Sequence, residues 1–300
     1  MTRDPTNSGR RLRVVPVDVA AAREFVRREA RVVEQRLYAT LFESAPPAGV
    51  ARALEAYRNG DGGFGHGLEP DKRCPASQPV DVAFALELLV LAGSYAGDWI
   101  EPACGFLAGV ADDRGAVPLA LPSVLDYPHA DHWGGDWPYV PGLWATASVA
   151  GVLRALAAEH PWLDRATAFC LDDLERELPA DAHAVREALR FLEHVPDPRA
   201  EELWTHVAQG LATAAHFLAD ADDPAYGVSP LELAPRPDSP ARRLFDDEQI
   251  AAHLDRLEAD QQPDGGWPLR WDPPSDASRL EWRGNRTVMA LATLSAYGRV

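Results

Sequence analysis

Asp264-Gly265-Gly266-Trp267-Pro268, near the end of the chain, repeats the pattern of Asp61-Gly62-Gly63-Phe64-Gly65 near its front. Each copy follows an amphipathic stretch of helical spacing. Each precedes an irregular loop that runs into a nearly all-apolar helical stretch. Asp61 and Leu86 are 25 positions apart, and Asp264 and Leu291 are 27 apart. Self-similarity at matched spacing points to a structural repeat, and a repeat sets architecture ahead of any local preference. Adjacent glycines permit a sharp turn and close backbone approach. The aspartate can cap free amides at such a turn, and the aromatic that follows can fill the seam between neighbouring helices.

Outward from these turns the sequence reads as helices of two kinds. Segments 80–91, 143–158 and 287–297 are apolar on almost every face, which predicts burial all round. Segments 18–42, 48–58, 99–110, 163–178 and 200–218 carry a single apolar face, Asp18 is placed to cap the first of them, and further helices are expected at 181–193 and 246–259. No alternation of period two persists anywhere. Fully buried helices alternating with one-faced helices are what an inner ring inside an outer ring requires. The expected fold is therefore all-α, an (α/α) toroid or barrel of five to six helical hairpins. Residues 16–300 form its single domain and residues 1–15 a flexible N-terminal segment. The inner partner of segment 200–218 is not evident. Many of the 26 prolines fall in three long loops, 116–141, 224–239 and 263–278, and long loops in a compact domain usually carry function.

Composition narrows the partners. A formal net charge of −17 excludes nucleic acid, which attracts basic surfaces, and stable attachment to anionic lipid. No stretch has the length and apolarity of a membrane span, and residues 1–15 lack the apolar core of a signal peptide. Cys74, Cys104 and Cys170 are widely spaced, so neither a disulfide framework nor a Cys-x-x-Cys site is indicated. These features, with an acidic Ala/Arg-rich composition, lead to the expectation of a cytoplasmic bacterial protein.

In a toroid, loops that enter the inner helices open on one end of the cavity, so residues at inner-helix N-termini face the hole. Glu69, Asp71 and Asp81 are the candidate catalytic acids, because a buried carboxylic acid of raised pKa can donate a proton to an alkene or a glycosidic oxygen. The alternative is a helix cap for Asp81 and a turn for Asp71. Candidate substrate-binding residues are His66 in the same loop, and Trp133, Asp136, Trp137 and Trp144, whose rings can stack on a sugar or cradle a cation. Glu281, Arg283 and Arg286 complete the set. The arginines can hold a diphosphate or carboxylate bidentately or neutralise the acids as structural ion pairs. His129, Asp131 and His132 offer donor types suited to a divalent ion, with a Pro-pinned structural loop as the alternative. No metal and no cofactor is assigned.

Gln261-Gln262-Pro263-Asp264-Gly265-Gly266-Trp267 resembles the glutamine–tryptophan repeat of squalene–hopene-type terpenoid cyclases. Asn59-Gly60-Asp61-Gly62-Gly63-Phe64-Gly65 is similar to the corresponding turn of protein prenyltransferase beta subunits. The resemblance implies paired inner and outer helices around a central cavity. It also implies a protonating aspartate just before an inner helix. Pro79-Val80-Asp81-Val82-Ala83 resembles part of that element, Asp-x-Asp-Asp-Thr-Ala, keeping one aspartate and the alanine. Asp220-Ala221-Asp222-Asp223 matches the aspartate string but runs into Pro224, Gly227 and Pro230 where the family continues as helix. The expected function is that of an isoprenoid-handling or terpenoid-cyclase-like enzyme using an acid at the cavity mouth. The alternatives are a carbohydrate-active lyase or glycosidase with Glu69 and Asp71 as paired carboxylates, and a non-catalytic small-molecule-binding protein. The expected partner is a small-molecule substrate, an isoprenoid or a sugar.

Overall fold

The computed structural model describes residues 16–94, 97–135 and 137–300; the segment 1–15 and Asp136 lie outside them. The helices are α1 Val19–Glu29, α2 Val32–Phe42, α3 Ala48–Leu54, α4 Pro79–Ala92, α5 Gly97–Val110, α6 Leu143–Ala155, α7 Pro161–Arg176, α8 Ala182–Leu192, α9 Ala200–Gly210, α10 Pro230–Leu233, α11 Asp247–Ala259 and α12 Asp276–Ala296. Among the described residues extended backbone pairs only as isolated bridges. Helices α2, α4, α6 and α8 pack side by side, and α12 closes on α2. Outside them α5 lies on α7 and α7 on α9, while α1 meets α12. The chain is an all-α toroid in which outer and inner helices alternate.

The apolar helices α4 and α6 sit inside, as their all-round hydrophobicity dictates. Val90 is the one exposed residue of α4 and Ala155 that of α6. Three elements differ from the sequence expectation. Segment 18–42 is two helices. Asp18 caps α1 by accepting from the Ala21 amide, but the chain breaks at Ala30–Arg31. There α12 passes so close that a methyl on Gly284 would lie 2.6 Å from the Ala30 Cβ. The Gln35 side chain takes up the freed Ala30 carbonyl at 2.8 Å, and the break lets α1 stay outside while α2 turns in. The missing inner partner is α10, four residues long; Pro235 ends it by denying the next turn its amide and its space. Helix α12 starts at Asp276, capped by Ser275, so residues 281–286 lie within the helix and not at its opening.

The two turns quoted above have the same geometry. Gly62 and Gly265 take φ of 90° and 91°. Asp61 accepts from the Gly63 amide at 2.9 Å and Asp264 from the Gly266 amide at 3.1 Å. Each turn leaves one outer helix and presses on the next: a Cβ on Gly62 would lie 2.3 Å from the Pro102 carbonyl of α5, and one on Gly265 2.2 Å from the Ala21 carbonyl of α1. A third turn of this geometry occurs at 112–117. Gly115 has φ of 90° and abuts Ala166 of α7, 2.9 Å from a notional Cβ. The Val117 amide donates to Thr146 Oγ1 at 3.0 Å just as the Trp267 amide donates to Thr287 Oγ1 at 3.1 Å. Phe64 and Trp267 are both buried in these seams, and the Trp267 indole donates to the Leu257 carbonyl at 2.7 Å. The turn bearing Trp267 joins α11 to α1 and so closes the ring. Trp267→Ala is expected to lower the unfolding free energy by about 3–5 kcal/mol, measured by urea denaturation. An unmoved midpoint would mean that the ring does not depend on this seam.

Candidate active site

The loop after the first turn is folded inward and held from three sides. The Arg31 guanidinium, at the start of α2, donates to the Leu68 carbonyl at 2.7 Å. The Ala130 amide donates to the Asp71 carbonyl at 2.7 Å and the Arg73 amide to the Pro128 carbonyl at 2.8 Å, which fastens the second long loop alongside. The Ser278 hydroxyl of α12 donates to the Pro70 carbonyl. Gln78, just before α4, ties the same loops together by accepting from the Leu121 amide at 2.7 Å.

This packing buries four ionisable groups together: Glu69, Asp71, Lys72 and Asp81. Lys72 Nζ lies 2.7 Å from Asp81 Oδ1 and 3.4 Å from Glu69 Oε2. The first contact is a hydrogen bond; at the second, Glu69 Oε2 has no hydrogen-bond donor. Asp81 also accepts the Glu69 backbone amide at 2.7 Å. Asp71 Oδ2 accepts the Trp271 indole N–H at 3.1 Å, and His132 Nε2, on a half-exposed side chain, is 4.0 Å away. Arg73, the next cation, is taken by Glu281 at 2.8 Å.

Three carboxyls thus share one ammonium, and burial disfavours every charge left uncompensated. Burial lifts the Glu69 pKa to about 7, with Lys72 pulling the other way. It lifts Asp71 to about 6 against the opposing indole N–H groups of Trp282 and Trp271. Trp271 acts through a formed hydrogen bond, Trp282 from outside hydrogen-bond geometry. Asp81 is raised by burial as well and opposed by Lys72. Asp81 is the carboxyl that Lys72 bonds directly, so Glu69 and Asp71 are the ones left to keep their protons.

Asp71 stands beside a row of rings, bonded to Trp271 within it. Trp271 meets Trp282 edge-on at 5.4 Å, and Trp282 meets Phe84 of α4 edge-on at 5.9 Å. In the other direction Trp271 meets Tyr226 at 5.7 Å. Tyr226 stacks on His183 at 5.2 Å and His183 on Trp144 at 5.5 Å. Further along the same inner helices lies a charged belt. Arg190 of α8 reaches Glu87 of α4 at 3.4 Å, Arg186 holds Glu187 at 2.7 Å, and Arg286 of α12 pairs with Glu232 of α10 at 3.1 Å.

Of the residues singled out in the sequence, Glu69, Asp71, Asp81 and Glu281 come together, and Trp144 joins the aromatic row. Arg286 belongs to the belt and does not touch Asp81. Arg283 pairs with Asp264 at 2.7 Å and covers the Phe25 ring, so it braces the closing turn. His66 is exposed, with its ring against Asn59 Oδ1 at 2.9 Å. Trp133 is buried in a small core under the second loop with Cys74 and Val124, and Trp137 packs edge-on against it at 5.3 Å. Lys72, Phe84, Tyr226, Trp271 and Trp282 complete the site without having been singled out. The pattern offered only a weak signal for them: Lys72 adjoins the acid cluster, and Trp271 lies four residues beyond Trp267.

No protein-family model matches the sequence, and no curated protein matches it. Solved structures do match. Type II terpene cyclase MstE from Scytonema, in a variant complexed with its substrate geranylgeranyl dihydroxybenzoate, aligns over 91% of this chain and 96% of that chain, with a TM-score of 0.54 and 13% identity. A second variant of the cyclase, with the product merosterolic acid A, gives 0.49 and 14% over 93% and 95%. A third, with the substrate, gives 0.47 and 15% over 91% and 96%. The chain has the terpenoid-cyclase-like helical toroid fold. No helix among the described residues is long and apolar enough to cross a membrane.

Lys72→Met strips the trio of its cation and is expected to cost about 3–5 kcal/mol, the range for breaking a buried ion pair from one side. Adding Asp81→Asn removes the orphaned charge, and most of the loss should return in urea titrations. A double variant no more stable than the single one would show that Lys72 does not serve to neutralise Asp81.

Proposed function

We propose that the protein is a terpenoid-cyclase-like enzyme that protonates an isoprenoid alkene, with Asp71 as the acid. The observation that carries this reading is the position of Asp71: a carboxyl that burial keeps protonated up to about pH 6, bonded to Trp271 within a row of aromatic rings. A protonated carboxyl can deliver its proton to a terminal double bond. Aromatic faces attract the carbocation that results, by about 2 kcal/mol or more where water is excluded. Among the acids, Asp81 is committed to Lys72 and the Glu69 amide. Glu69 has its carboxyl beside the Lys72 ammonium, 3.4 Å from Nζ. The charged belt of Glu87, Glu187, Glu232, Arg186, Arg190 and Arg286 favours a substrate with a polar end beyond its hydrocarbon. It is also the observation that favours the second reading, a carbohydrate substrate with Glu69 and Asp71 as paired carboxylates.

The prenylated aromatic bound by the Scytonema cyclase is a suitable first probe. Incubated with the protein in D2O, geranylgeranyl dihydroxybenzoate should give an isomer carrying one added carbon-bound deuterium, seen by liquid chromatography and mass spectrometry. Asp71→Asn should lower turnover by about 10²–10⁴-fold, the usual contribution of a general acid. The acid must be protonated to act, so kcat/KM should fall as pH rises through about 6. Turnover unchanged in Asp71→Asn would remove Asp71 from the chemistry. Turnover of unsaturated or glycosidic sugars, with none of prenylated substrates, would favour the second reading.

A further inference from the structure

Across the aromatic row from Asp71, three side chains converge from separate parts of the chain. Asp181 caps α8 and accepts the His183 amide at 2.8 Å. Its two carboxylate oxygens meet two imidazoles, His183 Nδ1 at 2.9 Å and His216 Nδ1 at 2.6 Å. One nitrogen or oxygen from each of the three residues lies within 4.8 Å of the others. We propose that Asp181, His183 and His216 form a binding site for a divalent first-row transition ion of the zinc type, at the same mouth of the toroid as the acids.

The donor set and its geometry both suit such an ion. Two imidazoles and a carboxylate leave the fourth position of a tetrahedron for water or a substrate oxygen, which is the pattern of open zinc sites. With bonds of about 2.0–2.1 Å, ligand atoms around tetrahedral zinc stand roughly 3.3 Å apart. The two carboxylate–imidazole contacts need to open by only about half an ångström to reach that spacing.

The ligands are also pre-positioned. His183 is clamped between Trp144 and Tyr226, so only its ring edge is free to bond. His216 has φ of 61°, a left-handed backbone that a residue with a Cβ adopts only against strain. Both sides hold it there. The Ala182 amide donates to the Ala215 carbonyl at 2.8 Å, and the Val228 amide to the His216 carbonyl at 2.8 Å. Gly227 is the residue that permits this approach, since a Cβ there would lie 2.2 Å from the His216 carbonyl oxygen.

Arg186, three residues along α8 from His183, is paired with Glu187 at 2.7 Å. This inference does not rest on the isoprenoid reading.

The test uses Zn²⁺ alone. The full chain is equilibrated with excess Zn²⁺ and desalted, and retained metal is measured by elemental analysis; affinity is then set by competition with a chromophoric chelator. One zinc per chain is expected. His216→Asn keeps a residue that tolerates the left-handed backbone, and Asp181→Asn keeps the helix cap. Each should lower the affinity by at least about 100-fold, since even partners of a ligand account for about 10–100-fold. Far-ultraviolet circular dichroism identical to wild type confirms that the loss is not one of folding. Co²⁺ should give ligand-field absorption of a tetrahedral site in the wild type and not in His183→Ala. Zinc lost from the folded wild type on desalting, or retained equally by the two asparagine variants, overturns the proposal.

Discussion

A fully buried ammonium must be met by a carboxylate, and Lys72 is met by Asp81 at 2.7 Å. Because that single pairing uses up the available positive charge, Glu69 and Asp71 face a medium that penalises their ionised forms. The chemistry of the mouth follows from this imbalance. Asp71 keeps its proton up to about pH 6 and has Trp271, a ring within the aromatic row, as its contact. Were Lys72 placed against Asp71, that carboxyl would be held ionised and could not act as the acid. The packing of loop 66–78 against α2, the second long loop and α12 therefore matters because it decides which acid receives the ammonium.

Those loops hold their places because the ring does. Each glycine turn leaves an outer helix and butts against the carbonyl or amide of the next, at Pro102, Ala166 and Ala21. Contacts this close admit no side chain, and they set the spacing of the outer helices. The inner helices follow, with their N-terminal ends gathered at one mouth. Asp81 at the start of α4 and Asp181 at the start of α8 are distant in sequence, yet one row of rings runs between the two helices. The rings from Phe84 to Trp144 span the ground between them.

The toroid was legible because its turns constrain residue identity twice, through a left-handed backbone and through lack of room for a Cβ. Where fewer positions of the turn are so constrained, legibility fails. At 112–117 Gly115 is kept, but Ala116 and Val117 stand where the other copies have glycine and an aromatic, so this copy does not look like its counterparts. Helix α10 spans four residues between prolines, too few for any periodicity to register. The break at Ala30 arises from the approach of Gly284, a contact no local pattern encodes. At the site, the acids could be picked out because they lie between a recognisable turn and an apolar helix. Their ranking could not, since it depends on which carboxyl Lys72 reaches. Arg283 and Arg286 lie one turn apart on α12, yet one braces the closing turn at Asp264 and the other pairs with Glu232. Their assignment needed the start of α12, which a serine cap moves well ahead of the apolar stretch.

The central claim is that Asp71 holds its proton up to about pH 6, well above an ordinary carboxylate, and side-chain carboxyl titration addresses it most directly. With ¹³C-labelled aspartate and glutamate, and Asp71→Asn and Glu69→Gln to assign the signals, the carboxyl shifts of the folded protein can be followed from pH 4 to 8. Apparent pKa values of about 6 for Asp71 and about 7 for Glu69 are expected. Titration of both below about 5, in the range of ordinary carboxylates, would contradict a buried acid and with it the organisation of the mouth around a single ammonium.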